Sequence, residues 1–205
     1  LHIHPEFELI LIEEGEGLSF VGNSVNKLHK GDFMLIGSNL PHLWLSGDEY
    51  YEKGTTLKSR SVYCQFKDNL FPQNIYEIPE LESIYLLLKK SENGIFFSGG
   101  NIEELKNIFR SMVDTEGFLK LNCMYNLLYR LSKECICNEI SYNYHNNNKE
   151  VSDSIINKVH LFINNNYQSD ISLENIADYV AMNPSSLCRY YKNHTGRRIF
   201  EYLTE

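Results

Sequence analysis

The chain has 205 residues, 42% of them apolar, with 27 acidic residues against 19 basic ones and a formal net charge of -8. That apolar content supports a packed core and excludes global disorder. The acidic balance argues against a nucleic-acid coat protein and against a protein held on anionic lipid by its overall charge. No apolar run approaches the ~18 residues needed to cross a bilayer.

The first third reads as strands. "FELILIEEGEGLSFVG" is a strand, a Gly-Glu-Gly turn and a second strand, and "VNKLHKGDFMLIG" repeats the idea around Lys30-Gly31-Asp32. "LWLSG" and "SVYCQF" continue it. Short strands with glycine turns every 8–12 residues point to a sandwich or barrel. Phe20, Phe33, Trp44, Tyr63 and Phe66 are candidates for its core or for the wall of a small-molecule pocket. At the very start, His2 and His4 stand two apart, and on a strand they would share a face with Glu8. Pro5 interrupts that run, and His42 follows in "GSNLPHLW". Imidazoles and a carboxylate converging on one face suit a divalent iron, manganese, zinc or nickel ion. Direct contact with a ligand, or a metal-free structural role, satisfies the same residues.

From Pro79 the periodicity changes to that of helices, expected over 80–91, 101–113 and 117–136. Between the first two, "NGIFFSGG" is a short strand or a loop. These helices are expected to pack on the barrel and to supply a dimer contact. The five cysteines include no C-x-x-C pair, which fits reduced thiols in a cytoplasmic protein; Cys135 and Cys137 read as inert thiols, with a C-x-C redox switch as the alternative. The Asn-rich stretch 138–150 reads as a linker.

The last 55 residues read as helices throughout. Ile155, Ile156, Val159, Phe162 and Ile163 form one apolar face, with Ser152 or Asp153 as its cap. Ser172 caps a second helix carrying Leu173, Ile176, Ala177 and Val180. Asn183 caps a third, with Pro184 in its first turn, where the missing N–H costs nothing. The run from Tyr179 to Phe200 holds no acid, yet it carries Arg189, Lys192, Arg197 and Arg198. On a helical wheel Leu187, Tyr190, Tyr191 and His194 gather on one side. Ser185, Arg189 and Lys192 project from the other, flanked by Ser186 and Asn193. Two helices joined by a short turn, the second with a cationic polar face, describe a helix-turn-helix unit for the DNA major groove.

The stretch "IADYVAMNPSSLCRYYKNHTGRRIFEYL" resembles the DNA-binding domain of AraC-type transcription regulators. The resemblance rests on Ala177, Asn183, Pro184, Leu187, Arg189, Tyr191, Lys192, Gly196, Phe200, Tyr202 and Leu203. Ala181 departs from it, because members usually carry Gly between the two helices. Members also carry two such units, and this chain stops at Glu205, within what would be the joining helix. The resemblance therefore implies a truncated DNA-binding domain with weak affinity of its own. The spacing of His2, His4, Glu8 and His42, with Gly15, Gly31 and Pro41, likewise resembles the two motifs of the cupin barrel. Here the Pro and Gly ahead of the last His are displaced and a downstream Asn is missing. The first strand of that barrel is expected upstream of Leu1.

The expected fold class is α+β. A cupin-like barrel over 1–72 serves as sensor, followed by a helical dimerisation region over 73–137, a linker over 138–150 and a single helix-turn-helix unit over 151–205. The expected function is a non-enzymatic, ligand-responsive, sequence-specific transcription regulator. Its partners would be double-stranded DNA, a small-molecule effector and a second copy of the chain, with no membrane. The candidate DNA-contacting residues are Ser185, Ser186, Arg189, Lys192 and Asn193. No cofactor is expected beyond the divalent metal that His2, His4, Glu8 and His42 could hold. The alternative is a metal-dependent cupin enzyme, a dioxygenase or isomerase, which leaves residues 151–205 without a purpose.

Overall fold

A computed structural model describes residues 2–141, 155–166, 171–195 and 198–199. The fold is α+β, in two compact units: His2–Tyr144, and a helical unit drawn from His145–Glu205.

Among the described residues the first unit holds eight antiparallel strands in two sheets. They are β1 (Phe7–Glu14), β2 (Gly17–Val21), β3 (Ser24–Leu28), β4 (Phe33–Ile36), β5 (His42–Ser46), β6 (Arg60–Phe66), β7 (Ile95–Ser98) and β8 (Ile136–Glu139). One sheet runs β6-β1-β4-β7-β8 and the other β3-β2-β5. Three helices pack on the larger sheet: α1 (Glu82–Lys90), α2 (Ile102–Ser111) and α3 (Gly117–Glu134). The "LILI" run of β1 is buried at every position because both faces of the strand are covered. Leu9 and Leu11, with Phe33, Leu35 and Phe66, join Leu87, Leu105, Phe109, Leu127 and Leu131 of the helices in one core. Glu8, Ile10 and Ile12 point the other way, level with Ile36 and Met34 of β4, toward the smaller sheet. The β1–β2 turn needs its glycines: Gly15 has φ +104°, and a Cβ on Gly17 would lie 1.9 Å from the Leu45 carbonyl oxygen.

Some expectations hold and others change in detail. Phe33 and Phe66 belong to the helix-facing core, away from the space between the sheets. Tyr63 pairs with Ile10 and shares its inner face, yet it is 63% exposed, because β6 is the last strand of its sheet. The stretch "NGIFFSGG" contributes β7. Helix α3 ends at Glu134, and residues 136–139 leave the helical pattern to pair with β7 along Ile95↔Glu139 and Ser98↔Ile136. Helical periodicity carries no information about that open edge, which needs backbone partners. The strands flanking the helices draw residues 73–139 into the same unit as the barrel.

The helical unit contains α4 (Ile155–Asn166), α5 (Leu173–Tyr179) and α6 (Pro184–Thr195). Its core is Val159, Ile163, Ile176, Ala177, Val180, Leu187, Tyr191 and Ile199. Ser172 caps α5 through a reciprocal pair: its hydroxyl accepts from the Asn175 N–H, and its own N–H donates to Asn175 Oδ1, both at 3.1 Å. The cap foreseen at Ser152 or Asp153, most of the 138–150 linker, the His194 side chain, Gly196, Arg197 and residues 200–205 lie outside the described residues.

The turn between α5 and α6 is closed by a Schellman motif. Met182 N–H donates to the Ala177 carbonyl at 2.9 Å, and Ala181 N–H to the Asp178 carbonyl at 3.1 Å. Met182 then packs on the core of the unit. This motif places its linking residue in the left-handed region, and Ala181 sits there with φ +53°. A Cβ in that region costs roughly 1–2 kcal/mol. Ala181→Gly should therefore stabilise the unit by about 1 kcal/mol, seen as a rise in thermal midpoint. A lower midpoint would mean that the turn carries no such strain.

Candidate functional site

Candidate site residues gather in two places, each within one unit. The first is at the seam where β6, the edge of the larger sheet, faces β5, the edge of the smaller one. Pro5 and Glu6 bend the chain, and β1 begins only at Phe7, so His2, His4 and Glu8 are not neighbours along one strand. They meet by another route. The His2 segment runs antiparallel to the His42 segment, with His2 N–H donating to the His42 carbonyl at 2.7 Å and the reverse bond at 3.0 Å. Asn39, at φ 58°, turns the chain so that its N–H bonds the His4 carbonyl at 2.9 Å.

His4, Glu8 and His42 then converge, with one ligating atom from each within 4.8 Å of the others. His42 Nδ1 donates to the Leu40 carbonyl at 2.8 Å and His4 Nδ1 to the Glu6 carbonyl at 3.1 Å. A carbonyl oxygen only accepts, so both Nδ1 atoms carry hydrogen and both Nε2 atoms face the carboxylate. His4 Nε2 lies 3.4 Å from Glu8 Oε2, and His42 Nε2 lies 3.7 Å from Glu8 Oε1. His42 is 1% exposed, and its Nε2 has no hydrogen-bond partner. His2 stands apart from the triad, exposed, with its ring 5.8 Å from that of His42.

Two further residues complete the cluster. Gln65 Nε2 donates to Glu8 Oε2 at 2.9 Å and lies 3.3 Å from His4 Nε2; the Trp44 indole N–H donates to Glu8 Oε1 at 3.4 Å. Gln65 was not foreseen. Only the β1–β6 register, which sets Gln65 opposite Glu8, brings it there. Trp44 was expected in a core or a pocket wall, and it lines this seam.

Burial works against ionisation of Glu8. The His42 imidazole, with the Gln65 amide and the Trp44 indole, outweighs it and holds the carboxyl at about 2, below the ordinary 4.5. A depressed carboxyl pKa adds stability above the unfolded value and loses it as pH falls through the folded value. Here the window runs from about pH 4.5 down to about pH 2, and the contribution is on the order of 3 kcal/mol. Glu8→Gln should flatten the fall in stability across that window, measured by denaturant titration at several pH values. An unchanged profile would assign the acid sensitivity elsewhere. Burial lowers the pKa of His2, and the Glu8 carboxylate opposes it.

The second place is α6. Asn183 Oδ1 accepts from the Ser185 N–H at 3.0 Å, and Pro184 occupies the first helical position. Leu187 and Tyr191 are buried at 0% and 2%, while Ser185, Arg189, Lys192 and Asn193 are exposed. Ser186 is half-buried. Tyr190, expected to face inward, is also half-buried.

The first unit is thus an antiparallel β-barrel backed by helices, with an imidazole–carboxylate cluster at one seam. Residues 1–65 match the model of the AraC-like ligand binding domain. The crystal structure of the AraC-like transcriptional activator CuxR is similar at 12% identity and a TM-score of 0.41. That similarity covers 98% of this chain but only 65% of the other. No curated protein matches the chain. Among the described residues no helix is long and apolar enough to cross a membrane.

Proposed function

We propose that the chain is a ligand-responsive, non-enzymatic transcription regulator that reads duplex DNA through α6. The observation that carries the reading is the division of that helix. Leu187 and Tyr191 are buried in the helical unit, and Ser185, Arg189, Lys192 and Asn193 are exposed on its polar side. Arg189 can bond guanine bidentately, Asn193 can bond adenine, and Ser185 and Lys192 suit phosphates or base edges. Ser186 flanks this face. A single helix reads few bases, so a homodimer with two linked readers would supply the discrimination. The site of action is the cytoplasm. The effector is sensed in the AraC-like domain, and it must bind two arrangements of the protein with different affinity to shift anything.

A titration of DNA at two salt concentrations tests the reading. Affinity should fall as salt rises, because each phosphate contact releases counterions. A response that is flat with salt would contradict it.

A second reading concerns the seam. Two imidazoles whose Nδ1–H groups are tied to carbonyls, with both Nε2 atoms and a carboxylate turned inward, are a donor set that suits a divalent metal ion. The orphaned, buried Nε2 of His42 fits the same description. His4, Glu8 and His42 would hold the ion, and His2 is placed to approach it. A bound ion would act as a Lewis acid toward an oxygen of the effector. Gln65 and Trp44 would keep the carboxylate oriented through their bonds to it. Elemental analysis of the purified protein checks this: about one equivalent of metal, lost in His42→Ala, is the expected result. Less than about a tenth of an equivalent, with no response to added metal, would leave the cluster as a polar ligand site and remove the cupin-enzyme alternative.

A further inference from the structure

The first unit has a second seam, where β3, the other edge of the smaller sheet, faces β8, the other edge of the larger one. A cleft of about 260 Å³ opens there. Its inner surface can be assigned from register. Ser19 pairs with Trp44 and Asn26, so all three point toward the space between the sheets. Met34 pairs with Ile10 and Phe96, which sets Met34 and Phe96 on the facing surface. Asp32, two residues before Met34, lines the same cleft. The cleft therefore has an apolar floor, a hydroxyl on the 3%-exposed Ser19, an amide and one carboxylate.

That carboxylate is only partly used. Asp32 Oδ2 accepts the His29 N–H at 2.8 Å, and among the described residues no hydrogen bond reaches Oδ1. Cations stand nearby, and among the described residues none of them bonds Oδ1. Lys27 pairs with Leu18 on the outward face of its strand and still lines the cleft at its rim. His29 stands at the rim, 3.9 Å from Asp32 Oδ2 and more than half exposed. Lys106 of α2 is bound to Glu103 at 2.6 Å, and its charge also acts on Asp32. Glu139 of β8 adds a second carboxylate at the rim, bonded to Asn93. The pattern of an apolar body facing a carboxylate at one end selects for charge as well as shape.

We propose that this seam binds a small organic cation, a primary amine on a short apolar body, with its ammonium on Asp32 and its body between Met34 and Phe96. Its position gives the site a consequence. Ile140 lines the cleft and its N–H bonds the Gly94 carbonyl at 3.0 Å. Ser141 follows, with its hydroxyl donating to Asn23 Oδ1 at 2.6 Å. These are the last described residues before the helical unit, so a ligand here touches the segment through which the sensor unit continues toward α4. The site does not depend on the chain being a DNA-binding regulator, since direct binding reports on the cleft whatever α6 does.

The test is isothermal titration of the full chain with 2-phenylethylamine, 2-phenylethanol and 3-phenylpropionate. The amine should bind saturably, and the alcohol and the acid at least about tenfold more weakly, the gap expected when a charge-assisted bond is lost. Asp32→Asn keeps an oxygen to accept the His29 N–H and should weaken the amine by about tenfold or more. Asn26→Lys, on an exposed edge strand, sets a tethered ammonium in the cleft and should abolish binding. Equal binding of amine and alcohol, binding unchanged in both variants, or no saturable heat with the amine would each overturn the proposal.

Discussion

Tyr191→Ala is expected to destabilise the helical unit by about 3–5 kcal/mol, the range for truncating a large buried ring. Tyr191 is 2% exposed and, among the described residues, shares a core with Val159, Ile163, Ile176, Ala177, Val180, Leu187 and Ile199. A unit this small has little stability in reserve, so most of its molecules should unfold. Circular dichroism at 222 nm, followed through a thermal melt, would show loss of the transition that belongs to this unit. A melt unchanged from the wild type would mean that the ring does not hold α6 in place.

Phe33→Ala should have a comparable effect on the barrel unit, about 3–5 kcal/mol. The ring is fully buried on β4, with centroids 5.6 Å from Phe97 and 5.2 Å from Phe109. It joins strand β7 and helix α2 to the centre of the larger sheet, and the cavity left behind would sit between rigid elements that cannot close it. Denaturant unfolding monitored by tryptophan fluorescence suits this measurement, because Trp44 is the single tryptophan and lies in the same unit. Loss of less than about 1 kcal/mol would show that the helices adjust to fill the space.

The parts of this structure legible in the sequence are those governed by short-range rules. The Gly-Glu-Gly turn, the Ser172 and Asn183 caps and the apolar stripe of α6 each depend on a few adjacent residues. The wheel separates Leu187 and Tyr191 from Arg189 and Lys192 because a helix has one buried side. Tyr190 lies at the border of that stripe and ends half-buried. The strands are harder. In a strand covered on both faces, every position is apolar, so alternation does not say whether Phe33 looks toward the helices or into the barrel. Pairing decided the rest: Gln65 reaches Glu8 through register, and residues 136–139 become a strand because β7 has an edge to fill. His4 meets Glu8 across a bend at Pro5 and Glu6, not along a strand, so the convergence was visible in residue types but its route was not. Ala181 was visible as a departure from the usual glycine, and its positive φ shows that the turn geometry is kept with the less suitable residue.

The reading of α6 as the DNA-facing element is tested most directly by fluorescence anisotropy of the chain on a duplex that it selects from random sequence, comparing wild type with Arg189→Ala. Arg189 is exposed on the polar side of the helix, so its removal should leave the thermal midpoint within about 1 °C. Loss of a bidentate base contact should weaken binding by about 1–3 kcal/mol, or roughly 5- to 150-fold. Affinity equal to that of the wild type, with the fold intact, would contradict the account.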